Sequence, residues 1–116
     1  MPVTAQYVFI VMMDVAPEKE ALFNEIYDRE HVPYLLKVPG VRSATRLRIE
    51  PASVNIGGET KQLTGEGSPL YMAIYEIDNP DVLVSAAWAE ADEPGRWSAE
   101  VRPYKSNRHH VVWRVL

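Results

Sequence analysis

Two stretches of this 116-residue chain, "YVFIVMM" at residues 7–13 and "LYMAIYEI" at 70–77, limit what it can fold into. Each is short, rich in β-branched and aromatic residues and bounded by polar ones, which predicts a strand. Side chains on a strand alternate between faces. Tyr7, Phe9, Val11 and Met13 therefore share one face, and Val8, Ile10 and Met12 the other. All seven are apolar, so the strand must be covered on both sides. The same holds for the second stretch, and this condition shapes the rest of the reading.

Between and after these strands the chain supplies two helices. Pro17 suits a first helical position, and Glu18 and Glu20 follow where the helix dipole favours anions. Leu22, Phe23, Ile26 and Tyr27 make an apolar stripe. Pro33 lacks an amide hydrogen and disfavours helical geometry at Val32, which predicts a kink or an end near His31. A short turn, "PYLLKV", follows, and Pro39-Gly40 stops it. "DNPDVLVSAAWAEA" opens with cap residues and a proline, predicting a second helix from about Pro80.

The remaining strands are weaker in signal. "VRSATRLRIE" alternates from Val41 to Glu50, with Val41, Leu47 and Ile49 on the expected buried face and Arg42, Arg46 and Arg48 on the other. "RHHVVWRVL" is the last strand. The stretch at 51–69 has four glycines and reads as a long loop or a β-ribbon. "DEPGRWSAEVRPYKS" is irregular, with room for one helical turn. The order is β-α-β-β-α-β, the ferredoxin-like plan: an α+β, four-stranded antiparallel sheet with two main helices on one face. The length suits one domain over residues 1–116. Helices cover one face of such a sheet only. The other face of the two apolar strands needs a partner, and a second copy of the chain, packed sheet to sheet, would supply it.

Composition excludes several functions. A net charge of −4 leaves no general footprint for nucleic acid. With no cysteine there is no disulfide, zinc–thiolate site or thiol nucleophile. The apolar run at 7–13 is far below the ~20 residues that cross a bilayer, which predicts a cytoplasmic protein without a membrane partner. Neither a glycine-rich phosphate loop nor a G-x-S-x-G elbow is present, and nothing calls for a cofactor.

"FNEIYDREHVPYLLKVPGVRSATRL" carries a carboxylate-His-x-Pro segment at Glu30, His31 and Pro33, then Pro39-Gly40-Val41 and a strand bearing arginines. With "AAWAEADEPGRWSAEVRPYKSNRHHV" further on, the chain resembles the EthD-like branch of the dimeric α+β barrel proteins. The resemblance implies a homodimer whose paired sheets form a barrel, with a pocket between sheet and helices in each subunit. Relatives on that fold include cofactor-independent monooxygenases, polyketide cyclases, isomerases and lactone-processing enzymes.

Candidate chemistry centres on His31. Helical spacing puts Tyr27 and Asp28 on its side, so Asp28 could orient the imidazole and Tyr27 could donate to a substrate oxygen. A histidine at a helix end is expected to titrate near neutrality. Equally, the ring could donate to a backbone carbonyl freed by Pro33 and serve as a structural corner. Glu30 reads as a cap of the second turn or as a pocket carboxylate. Arg46 is the candidate for steadying negative charge, and Tyr75 and Trp88 for lining a pocket. His109 and His110 point to opposite faces and cannot share one metal, and no metal site is expected. These readings predict a small cofactor-independent enzyme acting on a modest hydrophobic carbonyl or phenolic molecule. The alternatives are a non-catalytic homodimer that binds a small ligand, and a pocketless scaffolding or stress-related dimer.

Overall fold

The structure, a computed structural model, describes residues 3–116. The long apolar strands sit at the centre of a four-stranded antiparallel sheet. β1 (Tyr7–Val15) pairs with β5 (Tyr71–Ile77) on one side and β6 (Lys105–Arg114) on the other, and β2 (Val41–Arg48) flanks β5. The order β2-β5-β1-β6 is that of the ferredoxin-like plan. The stretch expected as loop or ribbon is a separate hairpin, β3 (Ala52–Ile56) with β4 (Glu59–Leu63). Gly57 and Gly58, both at positive φ, make its turn, a conformation that residues with a Cβ adopt at a cost.

Helix-forming residues behave as their periodicity predicts, with one difference. The irregularity expected near His31 is present, but it is not an end of the helix. α1 (Glu20–Ile26) passes through a single π-helical turn, Tyr27–His31, and continues as α2 (Val32–Leu36). In that turn the Val32 amide donates to the Tyr27 carbonyl, a longer reach than in an α-helix. The wider turn takes up the disturbance that Pro33 brings. The second helix is shorter than expected. Pro80–Val84 forms 3₁₀ turns, Ser85 is extended, and α3 covers Ala86–Ala91. The Ser85 hydroxyl caps α3 by accepting from the Trp88 amide at 3.1 Å.

Both helical segments pack on the same sheet face. Phe23, Ile26, Tyr27 and Leu35 meet Val11, Met13, Tyr71, Ala73, Tyr75 and Ile77 in one buried cluster, closed by Trp97 and Val101. Phe23 has no exposed surface, so Phe23→Ala would cost about 3–5 kcal/mol.

β2 reverses the face assignment read from its pattern. A bulge between Val41 and Ser43 shifts the register, so Arg46 pairs with Ala73 on the helix side and Leu47 with Met72 on the open side. Arg46 is tolerated there because its guanidinium lies 4.4 Å from the Tyr27 ring centre and meets Asp28 and Asn24 at 2.8 Å each. Leu47 stays 42% exposed.

The open sheet face carries Val8, Ile10, Met12, Met72, Ile74, Val111 and Trp113 by register. Trp113 is 55% exposed. One corner is closed by the N-terminal segment, where the Glu76 carboxylate accepts from the Thr4 and Ala5 amides at 2.6 and 3.0 Å and from the Ser43 hydroxyl at 2.6 Å. Among the described residues no helix is long and apolar enough to cross a membrane.

Candidate functional site

A cavity of about 170 Å³ lies between the helix side of the sheet and the segments around it. β1 supplies Phe9, Val11 and Met13, the π turn supplies Tyr27 and His31, and β5 supplies Tyr75. Trp88 comes from α3, and Asp92 and Trp97 from the segment after it. Arg102, Lys105, Arg108 and His110 complete the wall.

His31 is 4% exposed and is held face to face on Trp97, with ring centres 3.7 Å apart and planes within 8°. Its Nε2 lies 3.6 Å from Asp92 Oδ1, and its Nδ1 is buried with no hydrogen-bond partner among the described residues. The imidazole does not donate to a backbone carbonyl, so the corner role read from Pro33 has no bond behind it. Burial pushes the imidazole down to about 3, and the Lys105 and Arg102 charges act in the same direction. That differs from the near-neutral titration expected of a helix end, because Trp97 and the cations come from the distant C-terminal third of the chain.

The hydroxyls of Tyr27 and Tyr75 lie 3.2 Å apart and share a hydrogen bond. Burial pushes Tyr27 up to about 12 and Tyr75 well above its ordinary value. Both phenols therefore stay protonated at neutral pH and can serve as donors. Asp92 is raised by burial, against the pull of Arg102, which meets Asp92 Oδ2 at 3.3 Å.

Of the residues singled out in the sequence, Tyr27, His31, Tyr75 and Trp88 meet at the cavity. Asp28 and Arg46 do not. The π turn rotates Asp28 away from the imidazole, and its carboxylate takes Arg46 Nη1 at 2.8 Å outside the cavity wall. Asp92 stands by His31 where Asp28 was expected. Glu30 is neither cap nor cavity carboxylate. It accepts from the Arg96 backbone amide at 3.0 Å and from Arg96 Nε at 2.7 Å, which pulls its pKa down and pins the Trp97 segment to the π turn.

Three polar residues of the wall escaped sequence reasoning as site residues: Asp92, Arg102 and Lys105. One signal was available. After Glu100 the chain has no acidic residue, yet it carries Arg102, Lys105, Arg108 and Arg114. In a chain of net charge −4, that run concentrates positive charge on one element. Among the described residues, no three His, Asp or Glu side chains are grouped to hold a metal. His110 lines the cavity while His109 meets Asn107, as opposite-facing strand neighbours must.

No model of a known protein family matches the sequence, and no curated protein matches it. Structure carries the likeness further. A crystal structure of an ethyl tert-butyl ether D (EthD) family protein from Bacillus halodurans C-125 superposes with a TM-score of 0.58, covering 95% of this chain and 99% of that one. The chain has the EthD-like fold. At 17% identity the correspondence is one of architecture. In this EthD-like fold the cavity walls come from β1, the π turn and the C-terminal third.

Proposed function

We propose that the chain is a cofactor-independent enzyme that moves a proton on a small, mostly apolar carbonyl or phenolic molecule bound in this cavity. The observation that carries the reading is the state of His31: Asp92 beside Nε2, and a buried Nδ1 with no partner. The carboxylate favours the tautomer with its hydrogen on Nε2, which leaves the Nδ1 lone pair free. An unsatisfied buried acceptor costs about 1–3 kcal/mol, a cost that a ligand donating to it relieves. Of the hydrogen-bonded pair Tyr27 and Tyr75, one hydroxyl donates to the other, and the second keeps its proton free for an oxygen that gains negative charge. An imidazole with a pKa near 3 is a weak base, but an anion forming beside it raises that value by pairing with the imidazolium. Proton abstraction of this kind is common to isomerisation, cyclisation and the activation of a phenol.

The low pKa of His31 also favours a second reading, in which the cavity binds its ligand without reaction. Deuterium exchange separates the two. A small cyclic ketone is incubated with the protein in D₂O and followed by proton NMR. The enzyme reading expects loss of the α-proton signal faster than in buffer, and loss of the acceleration in His31→Gln. Binding with exchange no faster than buffer would leave the binding role and remove the catalytic one.

The same reading has the chain working as a homodimer. Apart from Glu76 at its corner, the open face built on β1 and β5 is apolar, and a second copy is the partner that two-fold pairing supplies most simply.

A further inference from the structure

We infer that the ligand of this cavity is a planar, single-ring organic anion, held by its ring against Phe9, Tyr75 and Trp88 and by its carboxylate against Lys105 and Arg108. The inference rests on the cavity reading above and narrows its substrate class. Three observations carry it.

The first is size. A cavity of about 170 Å³ is close to the roughly 150 Å³ that suffices for benzene in an engineered protein core. One ring with a small substituent fills it.

The second is the wall. Phe9 meets Trp88 edge-on with centres 5.8 Å apart, Tyr75 meets Trp88 likewise at 5.8 Å, and Phe9 stacks near Tyr75 at 6.1 Å. Such a corner of ring faces and edges suits a flat apolar guest.

The third is charge. Three cations, Arg102, Lys105 and Arg108, face the cavity against one carboxylate, Asp92. Arg102 is committed to Asp92 and Glu93. Among the described residues Lys105 and Arg108 form no ion pair, and the Lys105 ammonium rests 4.7 Å over the Trp97 ring. Crowding by burial, Arg108 and Arg102 pushes Lys105 down to about 8. His110, whose pKa burial and the neighbouring cations push down, adds no further positive charge to this end. Lys105, half-buried, and Arg108, exposed, are unpaired like charges that repel, and an anion between them removes the repulsion. The β1–β6 register separates the two ends: Val11 lies opposite His110 and Val15 opposite Lys105, while Phe9 lies opposite Val112. That span, roughly 20 Å of strand, exceeds one ring, and the Lys105 side chain closes it by reaching back until its ammonium stands over the Trp97 ring of the same cavity, where the carboxylate of a ring at the Phe9 end meets it.

Binding of benzoate, benzamide and phenol, measured by calorimetry and by Trp fluorescence, tests the inference. Benzoate should bind about tenfold or more tightly than its neutral isostere benzamide, the equivalent of one charge-assisted hydrogen bond. Lys105→Met and Arg108→Met should each erode that preference, weakening benzoate binding more than benzamide binding. Lys105 packs on Trp97, so a melting curve accompanies that variant. Arg108 is exposed and serves if Lys105→Met does not fold. Equal binding of benzoate and benzamide overturns the anion and leaves the cavity reading standing. A benzoate preference that survives both variants puts the anion elsewhere and overturns the inference too. If none of the three probes binds, the inference and the cavity reading fall together.

Discussion

His31 is neutral because of what surrounds it, and that has a consequence for acid stability. Its folded pKa is about 3 and its unfolded value about 6.5, so the folded chain refuses a proton that the unfolded chain accepts. The contribution is complete above pH 6.5 and fades as pH falls towards 3. At pH 5 the difference amounts to about 2 kcal/mol. Denaturant midpoints measured from pH 7 to pH 4.5 should fall for the wild type and fall less steeply for His31→Gln. Parallel slopes would mean that the imidazole is not held neutral. Glu76 runs in the same direction for a different reason. Hydrogen bonds from Ser43, Ala5 and Thr4 hold it at about 2, so its support is complete above pH 4.5 and fades below. The windows overlap between pH 4.5 and 3, so a series kept above pH 4.5 reads His31 with little contribution from Glu76. His31 was visible in the sequence as a residue of interest. Its partners were not, because Trp97, Asp92 and Lys105 approach only when the C-terminal third folds back over the π turn.

At the scale of elements, the strand order and the apolar pairing of β1 with β5 were legible, because both central strands are apolar on both faces and keep that character whatever their register. What was not legible was the form of the two places where regular geometry is broken, although Pro33 marked one of them. The bulge at Val41–Ser43 exchanges the faces of Arg46 and Leu47, and the π turn carries Asp28 away from His31. Neither irregularity has a composition of its own. A third special position, Gly95, holds the site together. It sits at φ +75°, and a Cβ there would strike the Glu30 carboxylate and approach Tyr34. Gly95→Ala should therefore destabilise the chain by about 1–3 kcal/mol in chemical denaturation, from left-handed strain. It should also change the ring-current shift of the His31 protons as Trp97 moves. A variant as stable as wild type, with unshifted His31 signals, would show that the Glu30–Arg96 clasp does not set the Trp97 position.

At the scale of the whole molecule, the two faces of one sheet have unequal fates. One is packed by helices and encloses the cavity. The other leaves Val111, Trp113 and Leu47 substantially exposed. With a second copy on that face, light scattering should give twice the chain mass. Ile74→Lys, at the middle of the face, should give the single-chain mass with helix and strand content kept. A monomeric wild type would end the dimer proposal. The need for a cover was plain from residues 7–13 alone, since both sides of that strand are apolar. The β3–β4 hairpin is built on the opposite terms. Every residue of β4 is exposed, and nothing lies within 4 Å of where Cβ atoms on Gly57 and Gly58 would stand. Apart from the backbone conformation that its two glycines supply, that tip is consequently free of the packing constraints that bind the rest of the chain. It is the point where insertions accumulate at least cost, and where a tag or a fused domain can be spliced in with the cavity undisturbed.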